Sequence, residues 1–117
     1  MGKTTKDPLV SELTKTLQAK KAQDIMVFDM RKTGQNVCDY FVICHGLSKV
    51  QSQSIAENTI KELRRSGPYK PIHTEGMANA EWILIDYGDV VAHIFMEESR
   101  QFYQLEELWA DARISDV

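Results

Sequence analysis

WILIDYGDVVAHIF, residues 82–95, predicts two short β-strands that flank a tight turn at Gly88-Asp89. If these two residues form the whole loop, Leu84 lies opposite His93 across the hairpin. Because side chains alternate along a strand, this pairing sorts the hairpin into two faces. One face is almost wholly apolar and is predicted to lie on the core: Ile83, Ile85, Tyr87, Val90, Ala92, Ile94 and Met96.

The other face of the hairpin mixes large apolar side chains with one carboxylate and one imidazole. Such a mixture is typical of the centre of a protein–protein interface, and we therefore predict a binding surface. The alternative is that a helix covers this face and that His93 is a hydrogen-bonded core histidine. The residues alone leave both interpretations open. The members of this face are Trp82, Leu84, Asp86, Val91, His93 and Phe95.

Charge is distributed unevenly along a chain whose composition is otherwise that of an ordinary globular protein. Residues 1–74 carry twelve Lys/Arg and seven Asp/Glu, a balance of +5. Residues 75–117 carry two Arg and ten Asp/Glu, a balance of −8. A negative C-terminal part favours a basic partner and disfavours a phosphate backbone, so we expect little direct nucleic-acid contact. A solvated acidic helix end is the alternative interpretation.

The length of 117 residues and the ordinary composition predict a single domain over residues 1–117. Its elements follow the order α-β-β-α-β-β-β-α, which indicates an α/β fold: a mixed β-sheet with helices packed on it. No apolar run approaches the ~20 residues of a membrane span, and we expect a cytoplasmic protein with no membrane contact. Helices are predicted from Asp7-Pro8, after Ser48 and from Glu97 to about Ala112, and strands at 24–30, 40–44, 69–75 and in the hairpin.

The sequence contains few motifs that would indicate a catalytic site or a metal site. No HExxH motif or thiolate pair is present, so we expect neither a metal site nor a cofactor. Asp86 and His93 lie one diagonal apart on the hairpin, but no GxSxG nucleophile motif accompanies them.

Residues 46–48, Gly-Leu-Ser, form a generic anion cradle between a strand and a helix. Nucleotidyltransferase domains open on the same pattern but add an Asp-x-Asp pair on a following strand to bind Mg²⁺, whereas Asp86 and Asp89 are three residues apart.

Four ordered blocks of sequence carry a family resemblance: Asp39-Tyr-Phe-Val-Ile-Cys-His-Gly-Leu-Ser48, Glu75-Gly76, the hairpin from Trp82 to Phe95, and Arg100-Gln-Phe-Tyr-Gln-Leu-Glu-Glu-Leu-Trp109. Together they resemble the iojap-like ribosomal silencing factors, and the resemblance implies a core of the domain at about residues 8–112. The resemblance implies a nucleotidyltransferase-like fold without catalytic carboxylates, in a protein that is not an enzyme. A divergent nucleotide-binding or nucleotidyltransferase enzyme that uses the turn from Gly46 to Ser48 is the alternative.

The resemblance also implies a function and a set of binding residues. A silencing factor of this kind binds large-subunit ribosomal protein fourteen, blocks joining of the small subunit and represses translation. That basic partner agrees with the negative charge of residues 75–117. The family pattern usually has threonine where this chain has His45, which puts any anion site there in doubt. An apolar face kept for a partner also supports a homodimer of the free protein. Partner binding is assigned by resemblance to Trp82, Asp86 and Asp89, with Glu75, Tyr87 and His93 as weaker members, and the alternative for Asp89 is a role in the turn only. Contact and structural support both stay open for Arg100, Tyr103 and Leu105 in the last block.

Overall fold

Six β-strands form one mixed sheet in the computed structural model, which describes residues 7–35 and 38–116. The predicted single domain also includes residues 1–6, 36, 37 and 117, which lie outside the described residues. The strands are β1 Gln23–Asp29, β2 Tyr40–Gly46, β3 His73–Glu75, β4 Trp82–Asp86, β5 Val90–Met96 and β6 Arg113–Asp116. The helices are α1 Pro8–Ala19, α2 Lys49–Ser66, α3 Glu97–Tyr103 and α4 Leu105–Leu108, with a 3₁₀ turn at Ala110–Ala112.

The strand order across the sheet is β3-β4-β5-β2-β1-β6. β2 and β5 lie in the middle and pair in parallel, whereas the neighbouring pairs are antiparallel. The parallel pair needs a long crossover, and α2 with the β3–β4 region supplies it. A mixed sheet with helices packed on it confirms the predicted fold class. The nucleotidyltransferase-like character implied by the resemblance stays a prediction.

Both long helices begin where the sequence predicts, at side chains that cap their first amide groups. The Asp7 carboxylate accepts hydrogen bonds from the backbone N–H groups of Leu9 (3.0 Å) and Val10 (3.1 Å). The Ser48 hydroxyl accepts from the Gln51 N–H at 3.0 Å. α1 and α2 then pack on one face of the sheet, where the predicted core face of the hairpin contributes Ile83, Ile85, Val90, Ala92 and Ile94 to a fully buried cluster. We call this side the helix-covered face. Among the described residues, no helix is both long enough and apolar enough to cross a membrane.

The prediction of one continuous C-terminal helix from Glu97 to about Ala112 is wrong. Helix α3 ends at Tyr103, because Gln104 adopts a left-handed conformation with φ +51°. The chain changes direction there, so that Leu105 and Trp109 pack against the sheet while Phe102 and Leu108 project into solvent. Helical spacing predicts one apolar face made of Phe102, Leu105, Leu108 and Trp109, and the structure divides these four side chains. Strand β6, which pairs with β1 at the edge of the sheet, was not predicted.

Candidate functional site

The hairpin has the register that the two-residue turn predicts. Trp82 lies opposite Phe95, Leu84 opposite His93 and Asp86 opposite Val91. The Tyr87 N–H donates to the Val90 carbonyl at 2.9 Å, and Gly88 at the start of the loop has φ +94°. Strand β3 extends the surface at the edge of the sheet, because its residues 73 and 75 lie opposite Asp86 and Leu84 and so share their side of the sheet.

The residues after β5 cover part of this surface. Phe95, Val91 and His93 are buried, and the first two join a cluster against which Leu105 and Trp109 pack. The β5 side of this face is therefore covered, as the alternative interpretation expects, whereas the β4 side is partly exposed, and the binding surface stays a prediction. We define the docking face as the partly or fully exposed residues of this side: Phe41, His73, Glu75, Trp82, Leu84 and Asp86.

Trp82 is the largest side chain of the docking face, and its neighbours fix its position. Its indole Nε1–H donates to Nδ1 of His93 at 3.0 Å. Its ring lies 4.8 Å from the Phe95 ring and 5.0 Å from the Tyr103 ring. Sequence reasoning missed the contact with Tyr103, because it depends on the direction in which α3 leaves β5. A half-buried indole is thereby held in one orientation at the surface.

His93 lies beneath the docking face and supports it. Only 5% of its surface is exposed, and the ring packs edge-on against Phe41 with centroids 4.6 Å apart. Because Nδ1 accepts from Trp82, a neutral ring carries its proton on Nε2, which is buried and has no hydrogen-bond partner among the described residues. Burial lowers the pKa of His93 to about 4, so the ring is neutral at physiological pH. The predicted alternative of a fully hydrogen-bonded core histidine is correct for one ring nitrogen only.

The turn end of the hairpin is negatively charged. One carboxylate oxygen of Asp86 accepts from the Gly88 N–H at 2.7 Å, so this side chain also stabilises the turn. The Asp89 side chain is exposed, while its backbone carbonyl accepts from the N–H groups of Asp39 (2.8 Å) and Tyr40 (3.0 Å). Burial is the main cause that raises the pKa of the nearby Cys38 thiol to about 11, and the negative charges of Asp86, Asp39 and Asp89 add to the rise. Three carboxylates therefore concentrate negative potential beside the docking face.

The two remaining predicted residues lie on opposite sides of the sheet. Glu75 is exposed on the docking face, where its carboxylate lies 2.7 Å from Nε2 of His73. Tyr87 packs against the core on the helix-covered face. Its hydroxyl is buried without a hydrogen-bond partner among the residues described, and burial raises its pKa to about 12. The structure thus brings Trp82, Asp86 and Glu75 together and separates Tyr87 from them.

Two backbone donors of the predicted anion cradle already bond to groups of the chain itself. The Leu47 N–H donates to the Gln51 side chain at 2.6 Å, while the Gln51 N–H donates to Ser48. A Cβ at Gly46 would lie 2.6 Å from the Ser52 hydroxyl oxygen, so this glycine allows α2 to approach the sheet closely. Glycine and serine at this turn are therefore explained by the packing and capping of α2.

These features define a class: a small α/β protein with a fixed, half-buried tryptophan in a negatively charged surface suited to protein docking. A family model described as "Ribosomal silencing factor during starvation" matches residues 3–117. The ribosomal silencing factor of Bacillus subtilis is 43% identical over 98 residues, which cover 84% of this chain and 81% of that protein. The chain belongs to the ribosomal silencing factor family, a family of regulatory proteins.

Two further relatives extend the comparison. A solved structure from Bacillus halodurans superposes with a TM-score of 0.78 at 34% identity, covering 92% of this chain and 96% of that one. A mouse protein named "Mitochondrial assembly of ribosomal large subunit protein 1" is 33% identical over 108 residues. The match covers 86% of this chain and 44% of the mouse protein.

Proposed function

We propose that this protein represses translation by binding large-subunit ribosomal protein fourteen through the docking face. Bound there, it covers the surface on which the small subunit docks, so that the two subunits do not join. Membership of the silencing factor family supports this role, and the name of the mouse relative refers to the large ribosomal subunit. The protein acts in the cytoplasm and without chemistry of its own, because occupation of a surface is sufficient to exclude a competitor.

The observation that carries the proposal is the fixed indole of Trp82. Large aromatic side chains dominate binding energy when they enter a partner's pocket, and a side chain that is already ordered loses little entropy on binding. The hydrogen bond to His93 and the ring contacts with Phe95 and Tyr103 provide that order. Trp82 is therefore the anchor of the proposed interface.

The carboxylates around the anchor favour a basic partner. Asp86 and Glu75 lie on the docking face, and Asp89 is exposed at the turn next to it. Complementary charges at the rim of an interface speed association and fix the register more than they add affinity. We therefore expect the association rate with large subunits to fall as the salt concentration rises.

The test compares Trp82→Ala with a matched surface variant in co-sedimentation with isolated large subunits. Loss of an aromatic anchor typically costs about 2 kcal/mol or more, so we expect binding at least about 30-fold weaker than wild type. Val50→Ala is the control, because Val50 is an exposed apolar side chain on α2, on the helix-covered face. Equal binding of Trp82→Ala and Val50→Ala would show that the docking face is not the contact.

The free protein has the same face available for a second copy. A homodimer through the docking face would compete with ribosome binding, since both would bury Trp82. Sedimentation velocity of the free protein, with and without Trp82→Ala, measures this directly. We expect any dimer of the wild type to dissociate in the variant.

A further inference from the structure

Helix α3 is only seven residues long, and a helix of this length is not stable by itself. Arg100, which is 5% exposed, attaches it to the rest of the protein. The guanidinium Nε donates to the Glu106 carboxylate at 3.0 Å. Nη1 donates to the Gln23 carbonyl at 3.3 Å and to Nδ1 of His45 at 2.8 Å. Hydrogen bonds to β1, β2 and α4 therefore hold α3 in one position.

The fixed helix presents an aromatic ring to solvent at its outer end. Phe102 is 80% exposed, and its ring lies 5.1 Å from the Tyr103 ring at an interplanar angle of 87°. Tyr103 in turn lies 5.0 Å from Trp82. We call Trp82, Tyr103 and Phe102 the aromatic strip. The strip connects the docking face with α3, and exposure along it rises from the half-buried indole to the open phenyl ring.

Phe102 contributes little to the core of its own protein at this exposure. An isolated exposed apolar side chain is common and needs no explanation, but this ring continues a surface that already contains Trp82. Burial of a phenylalanine side chain against a partner is favourable because it removes apolar surface from water, and the free energy gained grows with the area buried. Because Arg100 and Tyr103 already hold the helix in place, a partner that covers Phe102 gains most of this energy without ordering α3.

The charge around the strip indicates the chemistry of the partner. Residues 97–112 contain five carboxylates and one arginine, a net charge of −4. Glu97 and Glu98 are exposed in the first turn of α3, and Glu107 is exposed in α4. A surface that covers Phe102 must therefore combine an apolar pocket with a positively charged rim.

We infer that Phe102 is a second anchor, which inserts into an apolar pocket rimmed by Lys and Arg on the same basic ribosomal protein that binds Trp82. The inference rests on the proposed function and deepens it, since it extends the interface from the hairpin onto α3. The resemblance assigns no role to Phe102, although it leaves contact or structural support open for Arg100 and Tyr103 on the same helix. The interface then has two aromatic contact points joined by Tyr103.

The chain offers a matched control for Phe102 in Leu108. Leu108 is 71% exposed and belongs to the same C-terminal stretch of the chain. It lines a different pocket, of about 500 Å³, with Asp29, Lys32 and Trp109 among its neighbours. Truncation of either side chain removes similar exposed apolar surface, but only Phe102 belongs to the aromatic strip.

The experiment measures the affinity of wild type, Phe102→Ala, Phe102→Leu and Leu108→Ala for isolated large subunits. We expect Phe102→Ala to bind at least about tenfold more weakly, the fold change that corresponds to ~1.4 kcal/mol. Phe102→Leu keeps an apolar side chain and should bind within about threefold of wild type, as should Leu108→Ala. The thermal unfolding midpoint of each variant should stay close to that of wild type, because both side chains are exposed.

Trp82→Ala in the same assay separates the two proposals. If Trp82→Ala binds weakly while Phe102→Ala binds like wild type, the second anchor is refuted and the docking face stands. If both variants bind like wild type, the docking face and the second anchor both fail. A Phe102→Ala protein that loses self-association but binds large subunits normally would assign the phenyl ring to a second copy of this chain and so overturn the inference.

Discussion

The two faces of the sheet are covered in different ways. Two long helices cover one face, and its apolar side chains are fully buried. The other face is covered only in part, by two short helices and a 3₁₀ turn, which leave Trp82 and Leu84 half-buried. The second face also contains the buried polar groups His93, His45 and Arg100. Packing that stabilises the fold is therefore concentrated on the helix-covered face, and the proposed binding surface lies on the opposite side of the same strands.

Adjacent residues of β4 provide the sharpest test of this division and the largest expected effect. Ile83 is fully buried on the helix-covered face, and Leu84 is half-buried on the docking face. Ile83→Ala should lower the free energy of unfolding by about 4 kcal/mol, because it creates a cavity in a packed core. Leu84→Ala should lower it by only about 1 kcal/mol but weaken binding to large subunits. Denaturant unfolding measures both variants, and equal losses of stability would contradict the division.

The buried imidazole of His93, which lies beneath the docking face, should make the free energy of unfolding depend on pH. Because the pKa of His93 is about 4 in the folded protein and near 6.5 when unfolded, the unfolded state binds the proton first as pH falls. Its contribution is therefore complete above about pH 6.5 and decreases between pH 6.5 and 4, by on the order of 3 kcal/mol in all.

The control for this pH dependence is His93→Asn, which keeps an acceptor for the Trp82 N–H but does not titrate. Urea unfolding at several pH values should give a smaller slope for the variant between pH 6.5 and 4. His45 and the carboxylates titrate in both proteins, so the difference between the two curves isolates His93. Two parallel curves would contradict a buried, neutral imidazole at this position.

The helix-covered side should show no response to nucleotides, which is the smallest expected effect. The Leu47 and Gln51 N–H groups already bond to the Gln51 side chain and the Ser48 hydroxyl, so these two donors of the turn are not available to a phosphate. We expect titration with Mg²⁺-ATP or Mg²⁺-GTP to give no binding at micromolar concentrations by calorimetry. A micromolar dissociation constant would favour the divergent nucleotide-binding enzyme and break the functional division between the two faces.

The hairpin could be predicted from the sequence because its pattern is local. Alternation of apolar residues and a Gly-Asp loop determine which side chains share a face, and the observed register agrees. The same alternation placed Tyr87 on the core face, where it lies, although the family resemblance placed it among the binding residues. For this residue the local physical argument and the resemblance disagreed, and its position follows the local argument.

The C-terminal part could not be predicted because distant contacts determine it. Arg100 bonds to Gln23, 77 residues away in sequence, and to His45, 55 residues away. These bonds help to set the position of α3, and the left-handed Gln104 then ends the helix that the spacing of apolar residues predicts. A non-glycine residue adopts this conformation at a cost of about 1 kcal/mol, which the packing of Leu105 and Trp109 offsets.

The most direct test of the account identifies what touches the docking face on the large subunit. A photoreactive amino acid at Glu75, which is exposed on β3, probes that face, and the same group at the exposed Ser54 of α2 probes the helix-covered side. After irradiation with isolated large subunits, mass spectrometry identifies the cross-linked protein. The account predicts an adduct with ribosomal protein fourteen from position 75 and none from position 54. An adduct with that protein from position 54 alone would contradict it.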